Sequence, residues 1–369
     1  MPIPVLYCID ALPRGGGTEN QVADLVRHLD RQLVVPHVCT LKTYPGTAQQ
    51  LGCASLDLDV GRLFAPRGLT AVRRLGRFIH ENRIAVVQTF FQDATILGGW
   101  TAWMAQVPVR LASFRDLGFW RTPRLEFLMR RTYPVMTGFV ANSQAVRSHF
   151  CDRDGIAPER VAVIPNGLAA DEIAFQVRPG PVTDIGIVGN INRPIKRIDL
   201  FVEAAGLLAA EFPRLRWHLL GDGHLRPQLE NRATELGIAD RTVFAGRVAD
   251  IPGYLQRLQI GVLCSDSEGF SNAILEYMAA GAAVVATDVG GNAEAVVSEE
   301  TGILVRPGDA YALAAGLRRV LNDDDLRLRL AARARERVVA QYSWDRCVER
   351  HVALYRRSLT AAGAAWDRL

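Results

Sequence analysis

Short apolar runs alternate with amphipathic stretches along most of this chain, and the alternation begins twice. No other feature restricts the fold as much, because apolar runs separated by helical stretches read as buried parallel strands with crossover helices. In the first half, residues 5–9, 34–41, 85–89, 109–114, 138–141 and 161–164 are predicted strands, with helices over 19–29 and 69–81. Residues 178–181, Arg-Pro-Gly-Pro, can continue neither a helix nor a central strand and read as a linker. The pattern then restarts, with strands at 185–188, 217–220, 242–245, 260–264 and 283–286 and helices at 199–211, 226–236, 251–257 and 272–280. An arginine-rich helical stretch follows over about 326–359. The expected fold class is α/β, with two Rossmann-like, doubly wound domains spanning 1–177 and 181–344. A length of 369 residues suits two cores rather than one. Two such halves on a short hinge are expected to face a central cleft lined by the carboxyl ends of their strands.

Composition removes several classes. Hydrophobic content of 49% and charged content of 22% are those of a globular protein. No apolar run approaches the roughly 18–20 residues of a spanning helix. The start, Met1 to Asp10, lacks a basic leader and soon meets charge, so it reads as a buried strand, and the expected location is cytoplasmic. Six scattered cysteines without a C-x-x-C pair point to buried small side chains rather than to a disulfide framework or a zinc site. A net charge of +4 without an aromatic-basic stacking pattern gives no reason to expect nucleic acid. The charge is uneven, however: residues 1–180 hold 20 Lys/Arg against 15 Asp/Glu. Arg73, Arg74 and Arg77 form one cluster, and Arg121, Arg124, Arg130 and Arg131 another. Such a patch suits peripheral contact with an anionic membrane, at the inner face of the plasma membrane, or with an anionic acceptor. A solvated helix face is the plainer alternative.

The segment from Cys264 to Glu276, Cys-Ser-Asp-Ser-Glu-Gly-Phe-Ser-Asn-Ala-Ile-Leu-Glu, is the most informative. A predicted strand ends near Cys264, and Ser271 and Asn272 are both good N-cap residues for the next helix. Backbone N–H groups of Phe270, Ser271 and Asn272 at the positive helix end would make an anion seat suited to a diphosphate. Glu268 stays in the loop. Glu276 lies one turn into the helix, where it could accept hydrogen bonds from a ribose diol. The two carboxylates could also simply favour a helix N-terminus.

The stretch continues through Ala280-Gly281, the run Val284-Val-Ala-Thr287, Gly290-Gly291 and Glu294. It resembles the donor-site signature of retaining GT-B glycosyltransferases, the large group 1 or family 4 set, whose two glutamates are likewise separated by seven residues. Other segments resemble that family in the same order: Gly15-Gly-Gly-Thr-Glu19, Ala141-Asn-Ser143, Val163-Ile-Pro-Asn-Gly167, Gly221-Asp-Gly223, Phe244-Ala-Gly246 and Tyr342-Ser-Trp-Asp345. The resemblance implies a GT-B fold whose last helix, 345–369, rejoins the first domain. It also implies that Gly16 and Gly17 approach the donor phosphate, that Glu268 holds donor-sugar hydroxyls, and that Glu276 holds the ribose.

Lys196 falls where the family has its phosphate-binding lysine, and it is one of only two lysines, with Lys42. An ammonium suits a phosphate as a compact point charge. Asn190 stands where the family usually has arginine, and Arg193 is the candidate to supply that charge. Residues 88–93 and 113–120 lack the family's histidines, which leaves Arg115 and Asp116 to orient donor sugar or acceptor, or else to serve as an ion pair or loop cap. Asp57-Leu-Asp59 spells a metal-binding triplet but alternates with Leu56, Leu58 and Val60, so it reads as strand or strand end. The combined expectation is a hexosyltransferase using a UDP- or GDP-type nucleotide sugar as co-substrate, with no cofactor and no metal. Its acceptor would be a glycan or lipid-linked molecule of bacterial surface polysaccharide synthesis. The alternatives are a catalytically weakened nucleotide-sugar-binding protein and a nucleotide-sugar epimerase.

Overall fold

Seven of the strands assemble around β1 (Ile3–Ile9), which lies between β2 (Val34–Thr40) on one side and β4 (Val86–Phe90) on the other. The computed structural model describes residues 1–12, 16–42, 51–60, 66–119 and 121–363; Gly15 of the glycine run, Trp120 and the last residues of the 345–369 segment lie outside them. Between and after these strands come α1 (Gly17–His28), β3 (Ala54–Asp57), α2 (Pro66–Glu81), α3 (Gln92–Met104), β5 (Val109–Phe114) and α4 (Pro123–Thr132). β6 (Gly138–Ala141), α5 (Gln144–Asp154) and β7 (Val161–Val163) complete the run. The sheet is parallel, in the order β3-β2-β1-β4-β5-β6-β7. Its order reverses between β1 and β4, the place where open α/β sheets leave a crevice at their strand ends.

The second half repeats the plan with β8 (Asp184–Val188), α6 (Ile198–Leu208), β9 (Arg216–Leu220), α7 (Arg226–Glu235), β10 (Thr242–Gly246) and α8 (Ile251–Leu255). It continues through β11 (Ile260–Leu263), α9 (Asn272–Ala280), β12 (Ala283–Thr287), α10 (Asn292–Ala295), β13 (Ile303–Val305), α11 (Ala310–Asn322) and α12 (Asp324–Tyr342). The sheet order is β10-β9-β8-β11-β12-β13, with the switch between β8 and β11. Tyr277 of α9 bolts this switch, because its hydroxyl receives the Val188 N–H at 2.6 Å and donates to the Val262 carbonyl at 3.2 Å. Gly261 must lack a side chain, since a Cβ would collide with the Tyr277 ring.

Contacts divide the chain into two units, Met1–Gly167 with Trp344–Leu369 and Leu168–Ser343. The first crossing therefore comes about ten residues before the Pro-Gly-Pro linker that marks it in the sequence. Ala170 and Ile173 explain the shift: both are buried in the second unit's core with Leu275, Met278 and Val338. The last helix, α13 (Trp344–Ala361), belongs to the first unit. Tyr355 on α13 donates to Gln88 Oε1 at 2.5 Å and lies 3.1 Å from the Tyr7 hydroxyl, joining α13 to β4 and β1.

Candidate active site

In the second unit, the turn after β8 and the loop after β11 are sewn together at the switch point. The Asp266 N–H donates to the Ile195 carbonyl at 2.9 Å, and the Cys264 thiol donates to the Arg197 carbonyl at 2.9 Å. These two bonds flank Lys196 in sequence and fix it opposite the 264–268 loop. Lys196, at the end of the 3-10 turn Pro194–Lys196, places Nζ 2.6 Å from Glu268 Oε1. The same oxygen accepts the Ser265 hydroxyl at 2.6 Å, so Ser265 is a third member that the sequence did not single out. Gly290 packs on this loop in a left-handed conformation, φ 50°, where a Cβ would strike the Glu268 carbonyl. The Gly-Gly pair thus supports Glu268 through its backbone.

The next helix starts where expected. Ser271 is the N-cap of α9, its hydroxyl accepting the Ile274 N–H at 3.5 Å, with Phe270 buried before it and Asn272 as the first helical residue. Glu276 follows one turn later, half-buried, and burial pushes its carboxyl up to about 7, with no counter-charge or hydrogen bond among the described residues to offset it. Asn190 is exposed, and its Oδ1 accepts the Asn192 N–H at 2.9 Å, an Asx turn that shapes the loop. Arg193 is exposed too and borders a pocket with Pro194, Leu225 and Gln228, on the side of α7. The structure thus groups Lys196, Glu268 and Ser265, and sets Arg193 at the edge of the neighbouring pocket.

In the first unit, Gly16 is the N-cap of α1, and a Cβ there would strike the Glu19 carboxylate. Gly17 opens the helix. Arg115 directly follows β5, and its Nη2 donates to Asn166 Oδ1 at 2.5 Å. Asp116 Oδ1 accepts the Gly118 N–H at 2.7 Å, a local cap. The residues standing where histidines were expected are structural in part: Gln88 is buried and donates to the Ser113 hydroxyl at 3.0 Å. Asp57 ends β3 and accepts the Thr40 hydroxyl.

Asp10 is a residue that sequence reasoning missed. It follows β1 at the switch point, accepts the Ala94 N–H at 2.7 Å, and has its carboxyl raised to about 7 by burial, with Asp93 adding to the shift. Its only sequence signal is a carboxylate between a strand and a glycine run. Phe91, just before α3, holds φ 65° and ψ 170°, a strained conformation for a bulky residue.

The family model of Glycosyltransferase Family 4 matches residues 15–172, and that of Glycosyl transferases group 1 matches residues 182–323. The lipopolysaccharide core biosynthesis glycosyltransferase LpsE of Rhizobium meliloti is 31% identical over 60% of this chain and 67% of its own length. The chain belongs to the group 1 glycosyltransferases. A D-inositol 3-phosphate glycosyltransferase of Geodermatophilus obscurus is 34% identical over 62% of this chain, but the match spans only 54% of that relative. Among solved structures, Anabaena HepE in complex with UDP superimposes with a TM-score of 0.83 at 20% identity, covering 96% of this chain and 100% of that one. This glycosyltransferase therefore has the GT-B fold, as its two parallel sheets indicate.

Proposed function

We propose that this chain is a retaining, metal-independent hexosyltransferase that moves a sugar from a UDP- or GDP-type nucleotide sugar to a glycan or lipid-linked acceptor. The observation that carries the reading is the Lys196–Glu268 pair, 2.6 Å apart beside the start of α9, with Glu276 one turn along. In the free site the ammonium and carboxylate neutralise each other. On donor binding, Lys196 turns to the diphosphate and Glu268 to sugar hydroxyls, while Glu276 accepts the ribose diol. The bond from the anomeric carbon to the phosphate oxygen breaks and that carbon bonds the acceptor oxygen on the same face. The acceptor proton passes to the departing phosphate, so no protein base is required. Lys196 and the α9 amides stabilise the negative charge that grows on the diphosphate. Relatives named for lipopolysaccharide core and Vi polysaccharide biosynthesis support a role in surface polysaccharide assembly.

A thermal-shift panel of UDP, GDP, ADP and their sugar conjugates, with and without EDTA, tests this reading. One nucleotide at about 100 times its dissociation constant is expected to add about 2.7 kcal/mol of stability, unchanged by EDTA. A flat panel at millimolar ligand, with no sugar transfer, would overturn it.

Peripheral membrane contact belongs to the same proposal. No described helix is long and apolar enough to cross a membrane. In the first unit, α3 packs against both α2 and α4, and this layer exposes Leu69, Trp103, Met104 and Phe127. Exposed Arg73, Arg77, Arg124 and Arg131 stand on α2 and α4, with the Arg131 guanidinium 4.9 Å from the centre of the Phe127 ring. Apolar anchors among arginines suit an anionic bilayer, where each basic residue contributes about 1 kcal/mol. The protein is expected to sediment with phosphatidylglycerol vesicles at low salt, and the variant Arg124→Ala/Arg131→Ala less so. Equal binding to pure phosphatidylcholine vesicles would remove the electrostatic reading.

A further inference from the structure

The first unit treats three enclosed arginines unequally. Arg121 meets both oxygens of Asp154 at 2.9 and 2.8 Å and the Tyr133 hydroxyl at 2.7 Å. Arg110 donates to the carbonyls of Val135 and Val107. Arg115 receives less: among the described residues its Nη2 meets only the neutral amide oxygen of Asn166. Its Nε, buried without a hydrogen-bond partner like that of Arg121, has no carboxylate on the same guanidinium to offset it. Among the described residues no carboxylate forms an ion pair with it. The adjoining Asp116 turns to the Gly118 backbone instead.

The acidic residues of the helix packed against this strand, Asp345 and Glu349, are exposed, and among the described residues neither pairs with Arg115. The α13 groups that face it electrostatically are Cys347 and His351. On α13, burial pushes the Cys347 thiol up to about 11 and the His351 imidazole down to about 4, so both are neutral near neutral pH. Burial lowers Arg115 itself to about 10, which still leaves it charged at neutral pH. An uncompensated guanidinium in a water-poor setting is strongly unfavourable, and an incoming anion relieves it. Arg115 also borders a pocket whose other polar walls are Gln92, Thr95, Ser113, Asp116 and Arg121, and which the strained Phe91 helps to shape. Asp116 accepts the Gly118 N–H there, and Arg121 is matched by Asp154.

We infer that the Arg115 guanidinium is the docking point for an anionic group, a carboxylate or a phosphate, carried by one of the two substrates. This rests on the glycosyl-transfer reading above. The anion comes either from the donor or from the acceptor, and the planar fork of Arg115 would bind it through the N–H groups that Asn166 leaves unused.

Isothermal titration of the full chain separates the two sources. On the donor side, UDP, UDP-glucose and UDP-glucuronate are compared; on the acceptor side, glucose, glucuronate and glucose 6-phosphate are titrated onto UDP-saturated protein. The wild type is expected to bind an anionic probe at least about tenfold more tightly than its neutral counterpart, and Arg115→Gln to lose that preference. A preference for UDP-glucuronate places the anion on the donor sugar, and one for glucuronate or glucose 6-phosphate places it on the acceptor. A tenfold loss for UDP alone assigns Arg115 to the donor diphosphate. The second variant, Asn166→Asp, puts a carboxylate beside Nη2; it is expected to melt no lower than the wild type and to lose the same preference. If both variants bind every probe as the wild type does, the inference falls. Loss of UDP binding in Lys196→Ala alongside unchanged Arg115→Gln would leave the glycosyltransferase reading standing and remove only this one. A wild type that binds none of these probes, and neither GDP nor its sugar conjugates, overturns both.

Discussion

Lys196→Ala is expected to lower kcat/KM for the nucleotide sugar by about 10- to 150-fold, the equivalent of roughly 1.5–3 kcal/mol for a charge-assisted contact. The effect has two sources. On the proposed reading the diphosphate loses a cation; in the structure itself Glu268 loses the ammonium 2.6 Å away, so its orientation then depends on the Ser265 hydroxyl. Steady-state kinetics with the nucleotide identified by thermal shift measures the first effect, and comparison with Glu268→Gln isolates the second. The two variants share one contact, so their losses should not add. Turnover and donor affinity left unchanged in Lys196→Ala would show that this lysine is a structural ion-pair partner.

Glu276 should make nucleotide binding depend on pH. Its carboxyl is raised to about 7 in the free protein, and on the proposed reading only the ionised form would accept both ribose hydroxyls. Affinity is therefore expected to rise about tenfold between about pH 6 and pH 8 and to level off above that. Folding stability moves the opposite way in the free protein. The folded state holds a proton that the unfolded chain releases near its ordinary value of 4.5, so this group's contribution declines as pH rises from there towards 7. Glu276→Gln should flatten the binding profile, and Glu276→Ala should weaken the nucleotide by roughly 10- to 100-fold. A profile that keeps its shape in Glu276→Gln would assign the titration to another group.

The sheets were legible because their strands are short and apolar, and the candidate site could be named because two glutamates, a lysine and paired glycines occupy a recognisable spacing. What stayed hidden depends on burial by distant segments. α3 is buried along Ala94, Ile96, Leu97 and Ala102, and its apolar character runs around the helix, so it lacks the stripe that betrays an amphipathic one. The crossing at Gly167 was missed because proline and glycine mark where a chain bends, whereas Ala170 and Ile173 show where it packs. The raised carboxyl of Asp10 and the unmatched charge of Arg115 arise from three-dimensional enclosure, and neither has a local sequence pattern.

The route of the chain through its two units also bears on how the protein is made. The first unit is interrupted after Gly167 and resumes only at Trp344. At roughly 5–20 residues per second, a ribosome needs on the order of 10–35 s to deliver the intervening segment. During that interval Tyr7 and Gln88 lack the Tyr355 hydroxyl that joins them in the finished protein. The second unit, being continuous, can finish folding first, while the earlier-synthesised half waits with an uncovered face for its last helix. Vectorial synthesis is therefore expected to let the second unit close before the first, although the first emerges earlier.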